Sequence, residues 1–287
     1  MSADAAFDLH THSTCSDGHH PPADVVAMAH AAGLAGMALT DHDTGAGLAE
    51  AAAAGEALGV EVVPGIEFSA EDAGRSVHVL GYWADHTEPT LAAELARLRD
   101  ARTDRARRMV ERFNTLGVPV TFARVAELAG AAPVGRPHVA QAVVETGACA
   151  DEREVFDRYL ADGGPADVPK HAVDPVRAVE LLRGAGATVV LAHPGLFGAR
   201  DGATEVPVAV LDGMVAAGLA GVEARHPAHD APTVDRWTAL AAERGLVVTA
   251  GSDFHGGERD GTVGAAVTDR EAVDRLRSLR PTGAPAP

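Results

Sequence analysis

The feature that most restricts how this chain can fold is an alternation. Short apolar runs trade places with Ala- and Leu-rich stretches of helix length through most of the sequence. The runs fall at Ala6–His10, Gly36–Thr40, Glu61–Gly65, Val77–Tyr82, Ala187–Ala192, Gly221–Glu223 and Leu246–Ala250, with segments such as Pro22–Ala32 and Gly45–Leu58 between them. Strands spaced by helices predict a parallel sheet with crossover connections, closed as a barrel or doubly wound. A length of 287 residues suits two modest domains or one barrel-sized domain carrying an insertion.

The alternation stops between about Thr90 and Val173. LAAELARLRDARTDRARRMVERFNTLG predicts one long helix with Leu91, Leu95, Leu98, Met109, Val110 and Phe113 along one side, stopped by Gly117 and Pro119. Its arginines from Arg97 to Arg112 are interspersed with Glu94, Asp100, Asp104 and Glu111, the pattern of a salt-bridged exposed face rather than an RNA surface. Shorter helices are expected at Phe122–Ala129, His138–Gly147 and Asp151–Leu160. The domain plan is a catalytic barrel from residues 1–89 and 174–280, a helical insertion at 90–173 shaping the substrate cleft, and a disordered tail at 281–287.

Metal-capable side chains gather where the runs end. His10 and His12 close the first run, Asp41 and His42 follow the second, Glu67 follows the third and His78 lies on the fourth. His193 follows the fifth, Glu223 ends the sixth with His226 just beyond, and Asp253 and His255 follow the seventh. In a parallel barrel those C-terminal ends share one face, where active sites of that architecture are built. His10 and His12 are two positions apart on a strand, so both imidazoles can reach one ion, and Phe7 and Leu9 turn toward a covering layer. Asp17 follows in a turn that can fold back over the site, and Glu67 is placed to bridge two ions. Asp43 or Thr44 is expected to cap the next helix, and Asp8 to orient an imidazole.

Charge narrows the function. With 24 Lys+Arg against 41 Asp+Glu the net charge is −17, which argues against long-range attraction to duplex nucleic acid or an anionic membrane. The chain has 14 His but one lysine, Lys170, so positive charge for an anionic substrate would come from divalent ions held by His and carboxylates. Cys15 and Cys149 form no C-x-x-C pair, so redox or thiolate-zinc chemistry is not expected. There is no run of about 18 apolar residues and no basic-then-apolar leader, and the expected location is cytoplasmic.

The motifs DLHTHSTCSDG, LTDHDT, VPGIEFS, SVHVLGY, LAHPG, GVEARHP and GSDFHG, in this order, resemble the PHP family, the polymerase and histidinol phosphatase superfamily of metal-dependent phosphoesterases. VGRPHVAQAVV and the helical insertion resemble the subgroup acting on nucleoside 3′,5′-bisphosphates and the 5′ ends of short RNA. The resemblance implies a distorted seven-stranded (β/α)7 TIM-like barrel and three divalent ions, Mn ahead of Fe or Zn. His10, His12, Glu67 and Asp253 would hold the first ion, Glu67, His78 and His193 the second, and Asp17, His42 and His255 the third. A hydroxide between the ions would attack phosphorus, with Asp253 or a nearby His managing the proton.

Arg136 and His138 would grip substrate phosphate, as the resemblance implies for the R-P-H segment and as a planar guanidinium can do. His226 would be a further phosphate contact or the proton donor to the leaving group, and Lys170 and His171 border the return to the barrel. The expected partner is a small phosphorylated nucleotide or short RNA end, with no membrane. Rival readings are a PHP phosphatase for histidinol phosphate or a cyclic sugar phosphate, an amidohydrolase, and a non-catalytic metal-binding module. The amidohydrolase reading lacks a lysine at any strand end to bridge its metals.

Overall fold

The computed structural model describes residues 6–130, 134–161, 163–168, 173–196, 205–257 and 261–281. Lys170, His171 and the tail from 282 onward lie outside the described residues. In chain order the elements are β1 (Ala6–Asp8), α1 (Pro22–Ala31), β2 (Gly36–Leu39), α2 (Leu48–Leu58), β3 (Glu61–Asp72), β4 (Arg75–Tyr82), α3 (Pro89–Thr115), α4 (Phe122–Ala129), α5 (Arg136–Glu145) and α6 (Glu152–Val155). After a π-helical turn at Phe156–Leu160 come α7 (Pro175–Gly184), β5 (Thr188–Leu191), α8 (Val208–Ala216), β6 (Gly221–Arg225), α9 (Ala231–Glu243), β7 (Val247–Ala250), β8 (Thr268–Asp269) and α10 (Arg270–Ser278). The chain divides into two compact units, one of Met1–Ala93 with Val173–Pro287 and one of Glu94–Ala172.

The first unit is an eight-stranded sheet ordered β7-β6-β5-β4-β3-β2-β1-β8, nearly closed into a barrel. Beyond β1 and β7, a parallel bridge between Thr11 and Phe254 draws the two ends of the sheet together. The Tyr82 hydroxyl donates to Leu9 O across the interior at 2.8 Å. Phe7, Leu9, Val63, Leu80, Tyr82, Val190 and Val247 share one buried cluster with Val273 and Leu276 of α10. Val25, Val26 and Ala29 of α1 pack with Met37, Leu39 and Ala51 in another.

The sheet departs from an all-parallel barrel in two places. β3 and β4 form an antiparallel hairpin, and β4 also pairs antiparallel with β5. The connection is the two residues Ala73 and Gly74, both at positive φ (48° and 84°), and a link that short joins only antiparallel strands. The other departure is β8, two residues antiparallel to β1. Its Thr268 hydroxyl both accepts from Ala250 N at 2.7 Å and donates to Ala250 O at 2.9 Å, tying β7 to the same place. Two residues carry no hydrophobic period, so this strand leaves no signal in the sequence.

On the outer layer Glu61 pairs with Arg270 and Arg277. Burial raises the Glu61 carboxyl pKa, but the two guanidiniums outweigh that and hold it below its ordinary value of 4.5. A carboxyl with a depressed folded pKa stabilises the fold above its unfolded pKa and loses that contribution as pH falls through the folded value. Because the pair is partly exposed, we expect Glu61→Gln to cost about 1 kcal/mol at neutral pH, roughly 2–4 °C of melting temperature. Melting curves should show the gap to wild type closing as the buffer is taken below pH 4.5.

The second unit has its own core, built from Met109, Val110 and Phe113 of α3 with Val125, Val139, Val143, Val155 and Leu160. The arginines of α3 are used differently from the expected exposed ladder. Arg97 pairs with Glu94 at 3.1 Å, but Arg105 reaches Asp167 and Val168 O, and Arg112 donates to Asp167 O. Arg107 lies over the Phe122 ring at 3.8 Å. These arginines therefore brace the far end of the unit against its long helix. Arg136 opens α5 at the first helical position, and His138 Nδ1 accepts from Gly135 N at 3.1 Å.

Candidate metal centre

Strands β1 to β7 deliver their metal-capable side chains by local devices. β1 ends at Asp8, and the segment beyond it carries His10 and His12, both fully buried. It is held by Asp253 N donating to His10 O and His12 N donating to Phe254 O, each at 2.9 Å. His42 forms a parallel bridge to Glu67, which sits in the middle of the long β3 rather than at its end. His78 is the fourth residue of β4 and pairs with Ser69. It reaches the same face because β4 runs in reverse, so its early residues lie where the other strands finish. His193, His226, Asp253 and His255 follow β5, β6 and β7.

The side chains converge on Glu67. Its Oε2 lies 3.3 Å from His10 Nε2, 3.2 Å from His12 Nε2 and 3.0 Å from His42 Nδ1. Its Oε1 lies 2.8 Å from His78 Nδ1 and 3.1 Å from His193 Nε2. Asp253 Oδ1 stands 3.3 Å from His10 Nε2 and 3.1 Å from His12 Nε2, while Oδ2 is 3.4 Å from His226 Nε2. Asp17 Oδ1 is 3.4 Å from His255 Nε2, and Oδ2 is 3.7 Å from His42 Nε2. Three groups thus have ligand atoms within 4.8 Å of one another: His10, His12, Glu67 and Asp253; His42, Glu67 and His78; and His12, Asp17, His42 and His255. Against the expected sets, His42 joins the second group, His12 joins the third, and His193 meets the second through Glu67 Oε1.

The donor atoms fit cations. His10 Nε2, His12 Nδ1, Asp17 Oδ1, His42 Nδ1 and Glu67 Oε2 are buried and satisfied by no hydrogen bond. Buried polar atoms left that way cost stability unless a partner of opposite charge meets them. Burial raises Glu67, but His42, His78 and His10 outweigh it and hold the carboxyl well below its ordinary range. Asp17 and Asp253 are likewise lifted by burial and pulled well below by their imidazole neighbours. Burial pushes His42 down to about 3, so its ring is neutral and one nitrogen carries a lone pair. Ionised carboxylates beside a neutral imidazole are the protonation states that bind divalent metal.

Hydrogen bonds to the far ring nitrogens assign roles. His10 Nδ1 faces both Glu223 oxygens at 3.1 Å, and His255 Nδ1 donates to Asp253 O at 2.8 Å. In the neutral ring each would therefore turn an Nε2 lone pair to the centre. Burial lowers the His10 pKa, but Glu223, Asp253 and Glu67 outweigh it and hold it well above its ordinary value, so a cation would bind there by displacing the Nε2 proton. His226 is the opposite case, because its Nδ1 accepts from Ala228 N at 3.1 Å. That bond places the proton of the neutral ring on Nε2, the atom aimed at Asp253.

Several supporting residues differ from the sequence reading. Asp8 orients no imidazole; its carboxylate takes the backbone N–H groups of His10, Ser252 and Gly264. The orienting carboxylate is Glu223, whose Oε2 also accepts from His193 N at 2.9 Å, joining two strand ends that no local spacing connects. Asp41 is spent on Ser13 N, Ser13 Oγ and Ser16 Oγ, each at 2.7 Å, and thereby holds the turn bearing Asp17. Neither Asp43 nor Thr44 caps α2, which starts after Gly47 without a side-chain cap, and Asp43 accepts from Ser69 N. Asp253 and His193 sit at φ 53° and 21°, strained values for residues with a Cβ and a common mark of functional sites. Replacing Glu223 by alanine should weaken metal binding about 10- to 100-fold, read by titration with Mn²⁺.

Fold and centre together define an α/β barrel whose His, Asp and Glu side chains gather on one face in groups suited to divalent metal, with His226 beside them. A pattern describing the PHP domain matches residues 8–116. The 3′,5′-nucleoside bisphosphate phosphatase of Chromobacterium violaceum is 37% identical over 88% of this chain and 87% of its own. The 5′-3′ exoribonuclease of Haemophilus influenzae is 36% identical over 66% and 68%. A crystal structure of a metal-dependent phosphoesterase from Bifidobacterium adolescentis, so described provisionally, superposes with a TM-score of 0.88 at 32% identity, covering 95% of this chain and 96% of that one. The chain belongs to the PHP family and is a metal-dependent phosphoesterase. No described helix is long and apolar enough to cross a membrane.

Proposed function

We propose that the protein hydrolyses phosphate esters of small nucleotides, nucleoside 3′,5′-bisphosphates or the 5′ ends of short RNA, at a centre of three divalent ions. The observation that carries this reading is that two of the three ligand groups share Glu67, and the third is joined to them through His12 and His42. All the donors are N or O, which suits Mn first and also Fe or Zn. Ions held there would lower the pKa of water and neutralise charge on the phosphoryl oxygens.

The remaining steps belong to the chain. Asp253 presents Oδ1 to His10 and His12 and Oδ2 to His226 Nε2, so one carboxylate links the ligand cluster to the hydrogen-bond donor. His226 directs its Nε2–H as a hydrogen-bond donor at the departing oxygen, which eases the negative charge on the leaving alkoxide, and that oxygen takes its proton from solvent water. In the second unit, Arg136 opens α5 and His138 Nδ1 accepts from Gly135 N, so the R-P-H segment starts a helix with the residue types that bind phosphate. The nucleotide preference is supported by the relative's name and by this R-P-H segment.

The test is a hydrolysis panel with Mn²⁺-loaded enzyme that reads both released phosphate and released mononucleotide. Nucleoside 3′,5′-bisphosphate and short 5′-phosphorylated RNA should exceed a cyclic sugar phosphate, histidinol phosphate and an aryl phosphate in kcat/KM. His226→Asn should lower kcat on nucleotides by roughly 10²- to 10⁴-fold. The loss should be much smaller on an aryl phosphate, whose leaving group needs no proton. Metal-loaded enzyme that releases neither phosphate nor nucleotide from any of these esters would overturn the proposal.

A further inference from the structure

His229 belongs to none of the ligand groups, and nothing in its sequence context singles it out. Its half-buried ring nevertheless engages two separate strand ends. Nδ1 donates to Ala224 O on β6 at 2.9 Å, and Nε2 accepts from Gly195 N in the turn after β5 at 3.1 Å. Only the neutral Nδ1–H tautomer satisfies both bonds, since a carbonyl requires a donor and an N–H requires an acceptor. Burial also keeps the ring below its ordinary pKa.

The ring lies directly against Gly195. A Cβ at that position would stand 2.8 Å from His229 Cδ2 and Nε2, so a glycine is needed there. Two residues earlier is His193 at φ 21°, a conformation that persists only where surrounding bonds hold it. Three such bonds come from elsewhere: His193 N to Glu223 Oε2, Leu196 N to His193 O, and Val206 N to Pro194 O, all at 2.9 Å. On the other side, His229 N donates to His226 O at 2.9 Å, and the two rings lie 5.4 Å apart, with the His193 ring 5.5 Å beyond His226.

We infer that His229 is a positioning residue, a clamp that sets His193 against Glu67 and His226 against Asp253 by fastening the turn after β5 to the end of β6. It touches neither substrate nor the metal ligand atoms and acts through the two bonded loops. The inference rests on the phosphoesterase reading for its catalytic readout, but its metal-binding readout stands apart from turnover.

Two near-isosteres separate the bonds. A glutamine at 229 places its amide near Nε2 and can keep the bond from Gly195 N, whereas an asparagine places its amide near Nδ1 and can keep only the bond to Ala224 O. The experiment measures Mn²⁺ affinity by calorimetric titration, and kcat and KM on nucleoside 3′,5′-bisphosphate, for the wild type, His229→Ala, His229→Gln and His229→Asn. Melting temperatures run in parallel. His229→Ala should weaken the tightest-affected Mn²⁺ site about 10- to 100-fold and lower kcat with little change in KM, in the range seen when outer partners of metal ligands are lost. His229→Gln should restore most of both, and His229→Asn should not. A fall in melting temperature with Mn²⁺ affinity and kcat unchanged would overturn the inference, as would equal rescue by Asn and Gln. Were wild type to bind Mn²⁺ yet hydrolyse nothing, the function reading would fall, and the Mn²⁺ titrations alone would uphold or reject the clamp.

Discussion

Glu67→Gln is expected to strip the centre of most of its metal and to lower hydrolysis by at least roughly 10³-fold, about 4 kcal/mol of barrier. Both carboxylate oxygens are engaged, Oε2 toward His10, His12 and His42 and Oε1 toward His78 and His193. An amide keeps one acceptor oxygen but turns an NH₂ group toward the other set of imidazoles and removes the charge that attracts cations. Two of the three ligand groups contain Glu67, so its loss should be felt at both. Metal content by elemental analysis after dialysis, with kcat/KM on the best ester, provides the check. A variant retaining the wild-type metal content and activity would show that the carboxylate is not the bridge.

Gly251→Ala is expected to do comparable damage from a position that touches no ligand atom directly. A Cβ there would stand 2.3 Å from His10 Cβ, 2.5 Å from Glu223 Oε1 and 2.9 Å from His10 N. Two of these three atoms sit on or next to backbone that is itself bonded to Asp253 N, so the methyl cannot be accommodated by swinging a side chain aside. Crowding of this kind costs about 1–3 kcal/mol in stability. It also forces His10 away from Glu223, so the affinity for Mn²⁺ should fall by about 10- to 100-fold. Melting temperature and Mn²⁺ titration on the same preparation measure the two effects. If the variant binds Mn²⁺ as tightly as wild type, the packing around His10 is looser than these distances indicate.

Much of the centre was readable along the chain because the rule that places it is local. A strand in a parallel sheet finishes on a known face, so a histidine or acid just past an apolar run falls there by construction. His10, His12, His42, His193, Asp253 and His255 all follow from that rule, and the strand limits agree with the apolar runs to within a few residues except in β3. β3 continues to Asp72 because the chain turns back on itself at Ala73 and Gly74. The eleven residues between the expected third and fourth runs were too few for a crossover helix, and their two-residue turn was the available signal. It explains why His78, early in its strand, still joins the others.

The supporting residues were hidden for a different reason. Asp8, Asp41, Asp43 and Glu223 are all carboxylates near metal ligands, and their chemistry alone does not distinguish a ligand from a brace. The distinction lies in which N–H groups reach them. Asp8 takes three backbone donors and Asp41 takes a backbone N–H and two hydroxyls, which uses their oxygens up. Glu223 meets a ring nitrogen 213 positions away and so orients it.

Local pattern therefore determined the α/β character of the chain, the helical insertion and the identity of the residues that line one face of the barrel, since periodicity and strand polarity act over a few residues. Tertiary structure decided the eighth strand, the pairing of Glu223 with the His10 ring and the division of carboxylates into ligands and braces. Those depend on hydrogen bonds between segments distant in sequence, and such a bond exists only once the barrel has brought donor and acceptor within about 3 Å of each other.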